Sequence, residues 1–155
     1  MLHIVHAPVA EPNLKLREIT LSVDRLTLAK RLWRGVAEDG VEFGFELNMP
    51  LMHGDTIFEN SEGRYVLYQY PEALLEISLN MAPSAAAAIG WAIGNLHLEL
   101  SAETTRLLVV DEPTVRQLLG RLAVPFRQTN AIFRPGRFAR GNQAPSHELG
   151  ASHKH

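Results

Sequence analysis

The chain contains no cysteine. That excludes disulfide frameworks, thiolate metal sites and cysteine nucleophiles, so any transition-metal site must be built from imidazole and carboxylate. Such donors suit nickel, zinc or copper better than an iron–sulfur cluster. Strong charge of one sign is lacking too: the formal net charge is −2, which argues against a nucleic-acid binder that relies on a broad basic surface. No apolar run reaches membrane-spanning length, and the first residues lack the basic-then-apolar pattern of a secretory signal. A soluble cytoplasmic protein is the expectation. Catalytic signatures are missing as well: no nucleophile elbow, no glycine-rich phosphate loop leading to a lysine, no H-E-x-x-H. The sequence predicts no enzyme. With 46% hydrophobic and 21% charged residues over 155 positions, it describes an ordered chain of one ordinary domain or two small ones.

Residues 1–73 read as a small all-β domain. Apolar positions alternate at Leu14, Leu16, Ile19, Leu21 and Val23, with a break at Asp24-Arg25. Turn signals at Glu38-Asp39-Gly40, His53-Gly54-Asp55 and Ser61-Glu62-Gly63 separate further strands, among them Val41 to Leu47 and Tyr65 to Tyr70. This spacing predicts short antiparallel strands in a sandwich or small barrel, with Pro71 as a hinge. The basic group Arg25, Lys30, Arg31 and Arg34 is either a surface for an acidic partner or a charged edge that discourages aggregation.

Residues 74–134 change pattern to strand, helix, strand, strand, helix, strand. The strands are Leu74 to Leu79, Leu96 to Ser101, Arg106 to Asp111 and Phe126 to Phe133; the helices open at Pro83-Ser84 and at Thr114. A βαββαβ order is that of a ferredoxin-like fold, with one sheet face left uncovered by its helices. The fold class is thus α+β. From Pro135 the composition turns to Gly, Pro, Asn, Gln, Ser and His, and residues 135–155 read as a flexible tail.

The stretch Gly94-Asn95-Leu96-His97 carries the main candidate site. Gly94 is expected just past a helix end, where a positive φ is cheap only without a Cβ. Alternation then puts Leu96, Leu98 and Leu100 on one strand face and His97 and Glu99 on the other. His97 is either a metal ligand, favoured by the partial negative charge of the helix end, or a solvated strand histidine. Asp111 either caps the second helix or adds a carboxylate near His97. In the tail, His147, His153 and His155 are either mobile chelators or an incidental polar terminus. His3, His6 and His53 lack ligand spacing, and Trp91 is expected to pack against the sheet.

These motifs resemble the UreE family of urease accessory proteins, which are nickel metallochaperones. Gly94-Asn95-Leu96-His97 is similar to the family's G-N-x-H motif, and Asp111 followed by Leu118-Leu119 to its D-H-V-L-x-x-M-L segment, with Glu112-Pro113 replacing His-Val. Asp39-Gly40, Gly44, Gly54-Asp55 and Glu62-Gly63 follow the order of its turns. Leu96 stands where the family usually has arginine, Ala92 where a histidine commonly follows the aromatic residue, and Asn48-Met49-Pro50 replaces a Leu-Pro-x-Gly turn. The resemblance implies a partner-binding β domain, a metal-binding domain and delivery of Ni2+ to urease apoprotein together with other urease accessory proteins. It also implies a homodimer in which two copies of His97 meet on the twofold axis around one ion. Dimers could pair into a metal-bridged tetramer. His153 and His155 would be auxiliary ligands, with His147 and Asp111 as further helpers. Cu2+ or Zn2+ would also be accepted, since copper ranks above nickel for such donors. The competing expectation is a non-catalytic interaction module with incidental histidines. A metal-dependent hydrolase using Glu99 as base is a third.

Overall fold

The computed structural model describes residues 1–140 and 143–148, with side chains described through Gly136. The chain divides into two compact units, residues 1–70 and 71–155. The sequence places the boundary slightly later, after residue 73; the break falls at Tyr70 and Pro71.

The first unit holds two three-stranded sheets. One is built from β1 (Leu2–Val5), β3 (Leu32–Val36) and β4 (Glu42–Glu46), in the order β1-β4-β3. The other is built from β2 (Glu18–Val23), β5 (Thr56–Glu59) and β6 (Arg64–Gln69), in the order β2-β6-β5. Alternation sets the buried face as expected: Ile19, Leu21 and Val23 of β2 and Phe43 and Phe45 of β4 enter one core with Trp33, Tyr65 and Leu67. Trp33 stacks on Phe45 with ring centroids 3.8 Å apart. The expectation of antiparallel pairing throughout is corrected, because β1 lies parallel to β4 and β2 parallel to β6. A parallel pair needs a long crossover, and here the chain between the paired strands passes through both sheets. The break at Asp24 is a one-turn helix, α1 (Arg25–Leu28), in which the Asp24 carboxylate accepts from the Thr27 N–H at 3.0 Å. Glycine is required at the turn before β4, where Gly40 has φ 89°, and before β6, where a Cβ on Gly63 would lie 2.5 Å from the Arg17 carbonyl oxygen.

The second unit runs β7 (Glu72–Ser78), α2 (Pro83–Asn95), β8 (Ser101–Ala102), β9 (Arg106–Val110), α3 (Pro113–Arg121), β10 (Arg127–Ala131), β11 (Arg137–Arg140) and β12 (Gln143–Glu148). Its sheet has the order β10-β7-β9-β8-β11-β12. Leu75, Ile77, Leu107 and Val109 form one core with Ile89 and Ile93 of α2 and Val115, Leu118 and Leu119 of α3. Neighbours one residue along the strands, Leu74 and Leu108, are fully buried with Phe133 in a separate cluster. The helices thus lie on one face, as expected, while the other buries Leu74 and Leu108 under Phe133 with no helix residue in the cluster.

Two further corrections concern the strands. The expected strand from Leu96 shrinks to Ser101–Ala102, because the residues before it form the helix end and an irregular return. Part of the expected flexible tail pairs instead: β11 lies parallel to β8 with Phe138 opposite Ala102, and β12 pairs with β11 with His147 opposite Phe138. Backbone pairing on the open edge of β8 needs no apolar side chains, which is why composition missed it. His153 and His155 lie outside the described residues.

Candidate metal centre

His97 sits immediately beyond α2. The helix does not end at Gly94, which is helical; its cap is Leu96, and His97 is the residue with positive φ, 57°. The His97 N–H donates to the Gly94 carbonyl at 2.9 Å, and the Leu98 N–H reaches back to the Ile93 carbonyl at 3.3 Å. This pair of bonds is a Schellman motif, with His97 in the left-handed position usually given to glycine. Histidine is among the non-glycine residues that tolerate this region best, but it still costs free energy there. After the turn the chain doubles back, and Leu98 and Leu100 pack on the cluster containing Ile89 and Ile93. The same motif closes α3, where Ala123 has φ 54° and the Val124 N–H donates to the Leu119 carbonyl at 2.9 Å.

The His97 side chain is exposed, with no hydrogen bond or ion pair to another described residue. α2 carries no basic residue in its last turn. No basic side chain of the helix itself therefore offsets its carbonyl end, and a cation held at His97 would sit in that field. Ala87, Ala88 and Trp91 form an exposed, largely apolar stripe on the same helix. Trp91 is 70% exposed rather than packed on the sheet, and Leu96 is 40% exposed rather than on the core face.

Asp111 is not the expected cap. Glu112 occupies the cap position of α3 and makes no side-chain cap bond. The Asp111 carboxylate is gripped by Arg116, whose Nε donates to Oδ1 at 2.7 Å and Nη2 to Oδ2 at 3.0 Å, while Gln128 Nε2 donates to Oδ2 at 2.8 Å. The Arg116 hydrogen bonds, then the one from Gln128, hold its pKa down to about 2. A carboxylate so engaged would have to surrender a bidentate ion pair to meet a cation. No group of three or more His, Asp or Glu able to hold an ion occurs among the described residues. His147 lies in β12, opposite Phe138 of β11.

The helix end is what sequence reading missed. Its signal was present in Ile93 and Leu98, the apolar pair that closes a Schellman motif, and was outweighed by the glycine at 94.

The family model described as "UreE urease accessory protein, C-terminal domain" matches residues 72–155. The chain is 30% identical over 135 residues to the urease accessory protein UreE of Beijerinckia indica subsp. indica, covering 84% of this chain and 71% of that protein. It is 32% identical over 103 residues to the protein of the same name from Geobacillus kaustophilus, covering 65% of this chain and 69% of the relative. For that of Staphylococcus aureus strain MRSA252 the identity is 31% over 113 residues, covering 69% of this chain and 75% of the relative. The class these matches define is that of accessory proteins. The chain belongs to the UreE family of urease accessory proteins, as its Gly94-to-His97 motif suggested.

Proposed function

We propose that the protein is a cytoplasmic nickel metallochaperone that delivers Ni2+ for assembly of the urease active site, and that it works without catalysing a reaction of its own. The observation that carries this reading is His97: an exposed imidazole, unpaired among the described residues, held at the carbonyl end of α2 in a urease accessory family. One imidazole is a poor chelator, but twofold pairing doubles the donors at no cost in sequence. The reading is therefore a homodimer in which two copies of His97 share one ion, with the apolar stripe ending at Trp91 as a surface suited to pairing. Two such dimers could bridge through metal. In this reading 74–134 is a ferredoxin-like metal domain and 1–73 meets urease apoprotein and the other accessory proteins. His153 and His155 supply auxiliary donors and His147 a further one. Asp111, committed to Arg116 and Gln128, is not counted among them. A site open on one side releases its cargo faster than a closed cage, which suits delivery. Cu2+ would bind at least as well as Ni2+, so cellular supply helps decide which ion is carried.

Calorimetric titration of the wild type and of His97→Ala with NiCl2 tests the assignment. Loss of the tightest site with the fold retained supports it; unchanged affinity and stoichiometry would remove it. The second reading, an interaction module with incidental histidines, takes its support from the absence of a three-ligand cluster among the described residues. It predicts equal binding of urease accessory partners with and without nickel.

A further inference from the structure

The exposed imidazole of His97 makes no hydrogen bond, ion pair or ring contact with a described residue, so the backbone beneath it is what sets its direction. That backbone is in the left-handed region, φ 57°, which a histidine does not choose on its own. Two things hold it there. One is the pair of reverse hydrogen bonds, His97 N–H to the Gly94 carbonyl and Leu98 N–H to the Ile93 carbonyl. The other is apolar: Leu98 is partly buried on the cluster that contains Ile93, and Leu100 follows it, its Cδ2 3.8 Å from where a Cβ on Gly90 would stand. Releasing Leu98 would let residue 97 relax to a right-handed or extended conformation. Its Cα–Cβ bond would then swing away from the present direction.

We infer that Leu98 is a positioning residue for nickel binding: its packing on the core cluster that contains Ile89 and Ile93 locks His97 in the left-handed turn and so presets the direction of the ligand. This rests on the reading of His97 as the nickel ligand. A ligand whose competent conformer is only a minor population binds more weakly by that fraction. With an intrinsic preference against the left-handed region of this kind, Leu98→Ala should weaken nickel binding about tenfold for each imidazole engaged.

The matching turn of α3 supplies the control. Val124 occupies the position there that Leu98 occupies after α2 and packs on the same core cluster, so Val124→Ala loosens that core from a second helix end while leaving the backbone turn at His97 unaltered. Full-length wild type, His97→Ala, Leu98→Ala, Leu98→Met and Val124→Ala would be titrated with NiCl2, and their folded content followed by circular dichroism and thermal unfolding. The expected result is strong loss in His97→Ala, an intermediate loss in Leu98→Ala, recovery in Leu98→Met, and affinity within about twofold of wild type in Val124→Ala. Should Leu98→Ala not fold, Leu98→Val, which shortens the same contact, takes its place against the same control. His97→Ala abolishing binding while the Leu98 variants bind like wild type would overturn the positioning role and leave the ligand in place. Equal losses in Leu98→Ala and Val124→Ala would overturn it also, since general loosening would then explain both. A wild type that binds no nickel, or His97→Ala binding normally, removes the ligand and the positioning role together.

Discussion

Replacing His97 by glycine should make the protein more stable while removing its metal ligand. His97 has φ 57° and an exposed side chain, so glycine would relieve backbone strain and lose no buried contact. The left-handed conformation costs an L-residue about 1–2 kcal/mol. Glycine gives back about 0.4–1 kcal/mol through the greater freedom of its unfolded chain. The net gain is about 0.5–1 kcal/mol, which for a domain under 100 residues raises Tm by roughly 2–8 °C. Ala123, with φ 54° and an equally exposed side chain, has the same geometry and should gain similarly. Scanning calorimetry of both variants in the presence of a chelator measures the gain, and a nickel titration separates them: only His97→Gly loses its tight site. Unchanged or lowered Tm in both variants would refute the reading of these helix ends. A rise in Ala123→Gly alone would mean that the His97 side chain makes a stabilising contact not accounted for above.

Arg116→Met should flatten the acid limb of the stability curve. Asp111 is held at about pKa 2, below its ordinary 3.8, so its ion pair stabilises the fold fully above about pH 4 and is lost as pH falls through about 2. Urea unfolding midpoints measured across that window should fall more steeply in wild type than in the variant, and parallel curves would count against the pair. Gly63→Ala should destabilise the first unit by about 2 kcal/mol, since its Cβ would meet a backbone oxygen at 2.5 Å; an unchanged denaturant midpoint would show that the turn adjusts freely. Trp91→Ala should leave unfolding of the isolated protomer within about 0.5 kcal/mol of wild type, because the indole is 70% exposed. Sedimentation velocity should show it shifting the population from dimer towards monomer, and an unaltered dimer would remove Trp91 from the pairing surface.

The sequence was most legible where one residue type has one physical use. Gly40 and Gly54, with φ 89° and 90°, marked turns that could be placed without a structure. Alternation named Phe43, Phe45, Ile19 and Leu21 as inward-facing, and all are in the core. Alternation gives the face of a strand but not its neighbour, so the parallel partners of β1 and β2 were out of reach. In the second unit the order of helices and strands was readable, but consecutive Leu74 and Leu75 enter different clusters, and a one-face pattern cannot represent that. Gly94 misled for a related reason: glycine is common just past helix ends but not confined there, and here the helix runs on to Asn95 with the positive-φ position at His97. Asp111 illustrates the limit of spacing for sites. Its neighbour along the chain suggested a cap, while its actual partners, Arg116 and Gln128, are set by the helix turn and by the β10 edge.

Native mass spectrometry of a nickel titration tests the central claim most directly, because it reads oligomer and stoichiometry in one spectrum. Dimers should take up one ion first, and His97→Ala dimers should not. Monomers each carrying an ion of their own, or His97→Ala dimers loading exactly as wild type does, would contradict it.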